Sequence, residues 1–272
     1  MQKVMVILLV LLMLVFLGGW VALRRFERSM LYHPVQGIEQ TPANVQLRYQ
    51  DVHFVSADGT SLTGWWIPAN DPKATVVYCH GNSGNIGTKV AVASEFFKRG
   101  FNLLLWDYRG FGQSGGKPSE KGLYEDARSA FDVAAAMSKG LPILLYGHSL
   151  GAAVAARTAM DRPAAALILD SGFASAADLA RRWYPDWPFD RLLSVSYDTA
   201  AYASSLPGLP KLIAHSMQDQ VVPFQSGRIL HAAAAPPKEF VLLEGEHSDH
   251  SWFTPGAPGH AELEAFLNLF KR

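Results

Sequence analysis

A single cysteine stands among 272 residues, which excludes an internal disulfide and a multi-cysteine zinc site. An excess of charge of either sign is also missing: 24 basic side chains cancel 24 acidic ones. The clustered Lys/Arg surplus of an electrostatic nucleic-acid footprint is therefore absent. Charge is scarce altogether, at 18% of residues against about 25% in ordinary soluble domains. No internal repeat or low-complexity tract interrupts the chain, which excludes solenoid architectures. A single domain of this length buries about 70–75% of its unfolded surface and needs no cross-links.

Part of the charge deficit has an address. Residues 4–23 carry no charge, and only Gly18 and Gly19 among them are not strongly apolar. As a helix this stretch reaches about 30 Å, the thickness of a bilayer core. Lys3 precedes it and Arg24, Arg25 and Arg28 come after it. A cleaved signal peptide has a shorter apolar core of about 7–15 residues and a small-x-small cleavage site, and a lipoprotein needs a cysteine just after the segment. Neither pattern is present. The expectation is one transmembrane anchor in residues 1–25 and a connector over 26–44. The side of the membrane stays open, because the arginines favour a cytoplasmic C-terminal flank while Lys3 and the amino terminus pull the other way.

Residues 45–272 read as one α/β domain. Strands are expected near 45–55 and 62–67, joined by an Asp58-Gly59 turn that signals a hairpin. Short continuous apolar runs come next, near 75–79, 102–106, 142–146, 165–170, 211–214 and 239–243, the pattern of strands covered on both faces. Helical patterns over 88–99, 124–139, 152–160, 226–235 and 261–271 alternate with them. That alternation implies a mostly parallel sheet with helices on both faces. Residues 172–210 are irregular, with four prolines and seven aromatics, and fit either a small cap or a packed connection.

The chemistry concentrates at Gly147-His148-Ser149-Leu150-Gly151. Gly-x-Ser-x-Gly between a strand and a helix places the serine on a sharp turn, with Oγ presented above the sheet. The helix after it points its N-terminus at the site, which favours developing negative charge. Gly112-Gln113-Ser114-Gly115-Gly116 matches the same pattern. However, it lies well past its strand and no helix begins at once, so Ser114 reads as part of a structural loop. A serine nucleophile needs a base, and the base needs an orienting group. In α/β chains these occur in the order serine, acid, histidine. Asp219 and His247 each come after a late strand and complete that order, with Asp170 as an alternative acid and His250 as an alternative base. His247, Asp249 and His250 make only a weak metal pattern that nothing else completes, so no metal and no cofactor is expected. The oxyanion donors expected by position are the backbone N–H groups of Leu150, after the nucleophile, and of Asn82, in the His80-Gly81-Asn82 loop after the third strand. Cys79, on the strand before that loop, reads as a small core residue.

Three motifs together resemble the α/β-hydrolase superfamily: His80-Gly81-Asn82, the Asp107–Gly115 segment DYRGFGQSG, and Gly147-His148-Ser149-Leu150-Gly151. The chain is most similar to a branch of small membrane-anchored serine hydrolases, with the connector residues Leu31-Tyr32-His33-Pro34 fitting that branch. The resemblance implies a structural role for the Asp107–Gly115 loop and favours His247, in His247-Ser248-Asp249, as base. One departure is His215-Ser216 where the family has a histidine-glycine pair before the acid. The implied activity is hydrolysis of a carboxylic ester or thioester through Ser149, His247 and Asp219. The implied partners are a small-molecule or lipid acyl ester and the membrane, with no nucleic acid. A serine peptidase or amidase on the same fold, and a non-catalytic membrane-tethered scaffold, are the alternatives.

Overall fold

The computed structural model describes residues 2–270. The chain divides into two compact units, one reaching His33 and the other beginning at Pro34. The first is a helix, α1 (Gln2–Leu31). Thirty helical residues span about 45 Å, and the helix is long and apolar enough to cross a membrane. It continues through Arg24, Arg25 and Arg28 to Leu31, so the first residues of the expected connector are helical. Glu27 lies one turn beyond Arg24 and pairs with it at 2.7 Å, which keeps that turn regular.

The second unit is built on eight strands: β1 (Gln50–Val55), β2 (Ser61–Ile67), β3 (Ala74–Cys79), β4 (Phe101–Asp107), β5 (Ile143–His148), β6 (Ala166–Asp170), β7 (Lys211–Ser216) and β8 (Lys238–Leu243). They form one sheet in the order β8-β7-β6-β5-β3-β4-β2-β1. The β1–β2 hairpin is antiparallel, β2 pairs antiparallel with β4, and every other pairing is parallel. This is the mostly parallel sheet that the alternating pattern implies, in the α/β-hydrolase arrangement implied by the resemblance of the motifs.

Strands β3 to β7 are buried along their whole length, as continuous apolar runs require. β8 departs from that expectation. It is an edge strand with Glu239 and Leu242 exposed and Val241 and Leu243 buried, so only one of its faces is covered. Helices α2 (Val90–Lys98) and α9 (His260–Leu267) seal one face of the sheet through Phe96, Leu263 and Phe266. The expected C-terminal helix ran to Lys271, which lies outside the described residues. On the other face pack α3 (Glu120–Met137), α4 (Leu150–Asp161) and α8 (Phe224–Ala233). Between β6 and β7 the irregular segment forms three short helices, α5 (Ala176–Trp183), α6 (Phe189–Leu192) and α7 (Thr199–Ser204).

Candidate active site

Ser149 comes directly after β5 and precedes the first residue of α4. Its backbone sits at φ 55°, ψ −119°, a region that strains any residue with a side chain. Two glycines make the turn passable. A Cβ at Gly147 would run into the Gly151 carbonyl, and one at Gly151 into the Cys79 carbonyl. The turn is therefore wedged against the end of β3, and the Asp170 carbonyl accepts the Ser149 N–H at 2.9 Å. Strain held by packing on both sides keeps Oγ pointed away from the sheet.

The other two residues also leave the carboxyl ends of strands, where sites of open α/β sheets collect. Asp219 comes three residues after β7 and His247 four after β8. Ser149 Oγ donates to His247 Nε2 at 2.8 Å, and His247 Nδ1 donates to Asp219 Oδ2 at 2.7 Å. Asp219 is itself anchored, its Oδ1 accepting the N–H groups of Val221 and Val222 at 2.8 Å each. Burial opposes ionisation of the Asp219 carboxyl. His215, His247 and the Val222 N–H outweigh it and hold the group below the usual carboxylate range. His215 is fully buried, with Nε2 donating to the Val222 carbonyl at 2.9 Å and 3.4 Å from Asp219 Oδ2. It backs the Asp219 carboxylate from behind, a placement that the His215-Ser216 pair does not show in the sequence.

The competing acid and base face each other instead. His250 Nδ1 lies 3.4 Å from Asp170 Oδ2, and Asp170 also accepts from the Tyr146 and Ser171 hydroxyls. Burial works against the Asp170 carboxylate, but His250 and His148 bring its pKa down to about 2. His148 is the side chain that joins the two groups. It is opposite Asp170 in register, its Nε2 donates to the His247 carbonyl at 3.0 Å, and burial pushes its pKa down to about 3. The imidazole is therefore neutral, with its proton on Nε2. Among the described residues, His148, Asp170 and His250 also bring three metal-type ligand atoms within 4.8 Å of one another. Asp170 already accepts two hydroxyl protons there, whereas His148 uses only Nε2 and its buried Nδ1 has no hydrogen-bond partner among the described residues.

The loop after β3 closes over Ser149. A Cβ at Gly81 would stand 3.5 Å from that of Ser149 and 3.3 Å from His148 Nδ1, so Asn82 is next to a residue already in contact with the site. Ser114 lies elsewhere: its Oγ donates to the Asp107 carbonyl at 2.8 Å and accepts the Thr63 N–H at 3.0 Å, a tie between a loop and β2. Cys79 is fully buried, and burial lifts its thiol pKa to about 12.

A Gly-x-Ser-x-Gly turn at the head of an eight-stranded, mostly parallel sheet defines an α/β-hydrolase. The model of the family described as serine aminopeptidase, S33, matches residues 70–194. The Escherichia coli K12 protein YfhR is 38% identical over 213 residues, 74% of each chain. Lysophosphatidylserine lipase ABHD12 of Macaca fascicularis is 36% identical over 186 residues, 61% of this chain and 47% of that one. Among solved structures, the esterase Pf2001 of Pyrococcus furiosus superposes with a TM-score of 0.72 at 22% identity, covering 89% of this chain and 98% of that one. The chain belongs to the α/β-hydrolase superfamily of serine hydrolases.

Proposed function

We propose that this protein is a membrane-anchored serine esterase that cleaves a lipid-derived carboxylic ester or thioester through an acyl-enzyme. One observation carries the reading: the unbroken line Ser149 Oγ–His247–Asp219, with hydrogen bonds of 2.8 and 2.7 Å. In this reading residues 1–25 are the anchor, 26–44 the connector and 45–272 the catalytic domain, with a cap over 172–210.

His247 takes the Ser149 proton as Oγ attacks the acyl carbonyl. The carbonyl oxygen becomes an anion and accepts the backbone N–H groups of Asn82 and Leu150, donors worth about 10²–10³ in rate each. Asp219 holds the imidazolium. His247 then protonates the leaving alkoxide or thiolate, and the C–O or C–S bond breaks. A water enters, gives its proton to His247 and attacks the acyl carbon. The carboxylic acid leaves as the proton returns to Ser149 Oγ. None of these steps needs a cofactor.

The lipid character of the substrate is supported by α1, apolar and long enough to span a bilayer, and by similarity to a protein named as a lysophosphatidylserine lipase. The family description names an aminopeptidase, so a peptide amide belongs in the test. Purified full-length protein is offered acyl esters from short to long chains, a monoacylglycerol and a peptide amide, beside labelling with a fluorophosphonate probe. Ester turnover that disappears in Ser149→Ala is expected. Preferential amide cleavage would make the protein a peptidase, and a folded protein that takes no label would make it a scaffold.

A further inference from the structure

The segment over residues 183–192 turns its apolar side chains outward. Trp183 is 46% exposed, Trp187 64% and Leu192 45%. Trp187 stacks on Phe189, and Tyr184 meets the same ring edge-on, so the rings make one preformed surface rather than scattered residues. The patch has a neutral frame. Arg181, Arg182 and Arg191 are matched by Asp178, Asp186 and Asp190. Arg182 pairs with Asp178 at 3.0 Å and Arg181 with Asp190 at 3.3 Å. Tryptophan and tyrosine beside arginine are the side chains that settle at a membrane–water interface. The segment also has a fixed relation to the site, since α5 begins six residues after Asp170, whose carbonyl holds the Ser149 N–H.

The geometry points to residues 183–192 as an interfacial patch that seats in the headgroup region of the bilayer, opening the site to esters that arrive from lipid. The inference rests on the membrane-anchored reading proposed for the chain, in which α1 holds the protein at a bilayer. A neutral frame makes the occupant a zwitterionic lipid surface, and the seating insensitive to salt.

Cys79 is buried and its thiol poorly ionised, so one introduced cysteine takes a thiol-reactive probe selectively. The full chain carrying Trp187→Cys, labelled with an environment-sensitive fluorophore, is reconstituted in phosphatidylcholine vesicles with iodide on both sides. A second sample carries the label at Lys121→Cys, a side chain 89% exposed on α3. Iodide quenching at 187 is expected to be about threefold weaker than at 121, unchanged in high salt, with blue-shifted emission, as for a group lowered about 5–10 Å into the interface. Trp183→Ser with Trp187→Ser is expected to slow cleavage of a vesicle-borne ester roughly tenfold, leaving a water-soluble short-chain ester unaffected. Equal quenching at 187 and 121 in vesicle-bound protein overturns the patch while leaving the anchor intact. Protection at 187 in protein that alkaline carbonate extracts overturns the anchor while supporting the patch. Protection that appears only with anionic lipid overturns the neutral, salt-insensitive seating.

Discussion

Ser149 is held in a backbone conformation that costs a side-chain-bearing residue about 1–3 kcal/mol, so two replacements of the same serine should behave differently. Ser149→Ala removes Oγ and keeps the strain, whereas Ser149→Gly removes both. Each should lower ester turnover by about 10⁴-fold or more. By calorimetry, Ser149→Gly should melt about 2–4 °C above Ser149→Ala, and equal melting temperatures would mean that the turn is relaxed. His148 gives a second expectation. Burial lowers its pKa from 6.5 to about 3, so on acidification the unfolded chain takes up this proton first. Stability that is full above about pH 6.5 is therefore lost as pH falls toward 3, at about 1.4 kcal/mol per unit. Asp170, brought from 3.8 to about 2, adds a loss of the same sign below about pH 4. Urea unfolding at a series of pH values should show a flatter acid limb in His148→Gln, by about one proton.

At the scale of elements, the loop after β4 is fastened by Arg109, whose guanidinium donates to both Asp126 oxygens and to Asp58. Asp126 is fully buried on α3. Asp126→Asn leaves that guanidinium short of its buried counter-charge and should cost about 3 kcal/mol, read as a lower urea midpoint. A loss below about 1 kcal/mol would mean that Asp58 alone suffices. The elements that position the site were legible because their signals are local. Apolar runs mark β3 to β7, and the two Gly-x-Ser-x-Gly matches differ in that a helix begins directly after Ser149 but not after Ser114. The features that stayed hidden are non-local. The run over 239–243 reads as a doubly covered strand, and only its place at the sheet edge exposes Leu242. The short helices α5 to α7 carry too few turns for periodicity to show. The contacts of His148 with the His247 carbonyl and of His250 with Asp170 join residues 99 and 80 positions apart, and a residue pattern read along the chain holds no trace of them.

For the whole molecule, the anchored reading predicts how the chain partitions. It should sediment with membranes and resist alkaline carbonate. Leu9→Arg with Leu12→Arg puts two charges inside the apolar run 4–23 of α1, at up to about 2.5–3.5 kcal/mol each, and should move the protein to the extractable fraction with its esterase activity intact. A wild-type chain that carbonate removes would count against a spanning helix.

The position of His247 beyond the outermost strand has a consequence for the timing of synthesis. His247 lies 98 positions after Ser149, on a loop after the edge strand β8, which pairs with β7. At about 5–20 residues per second, roughly 5–20 s pass between the emergence of Ser149 and that of His247. During that interval the growing chain already carries its apolar helix and its serine but has nothing to take the serine's proton. In the anchored-esterase reading proposed above, a nascent chain tethered to lipid passes through most of its own translation without the means to cut it.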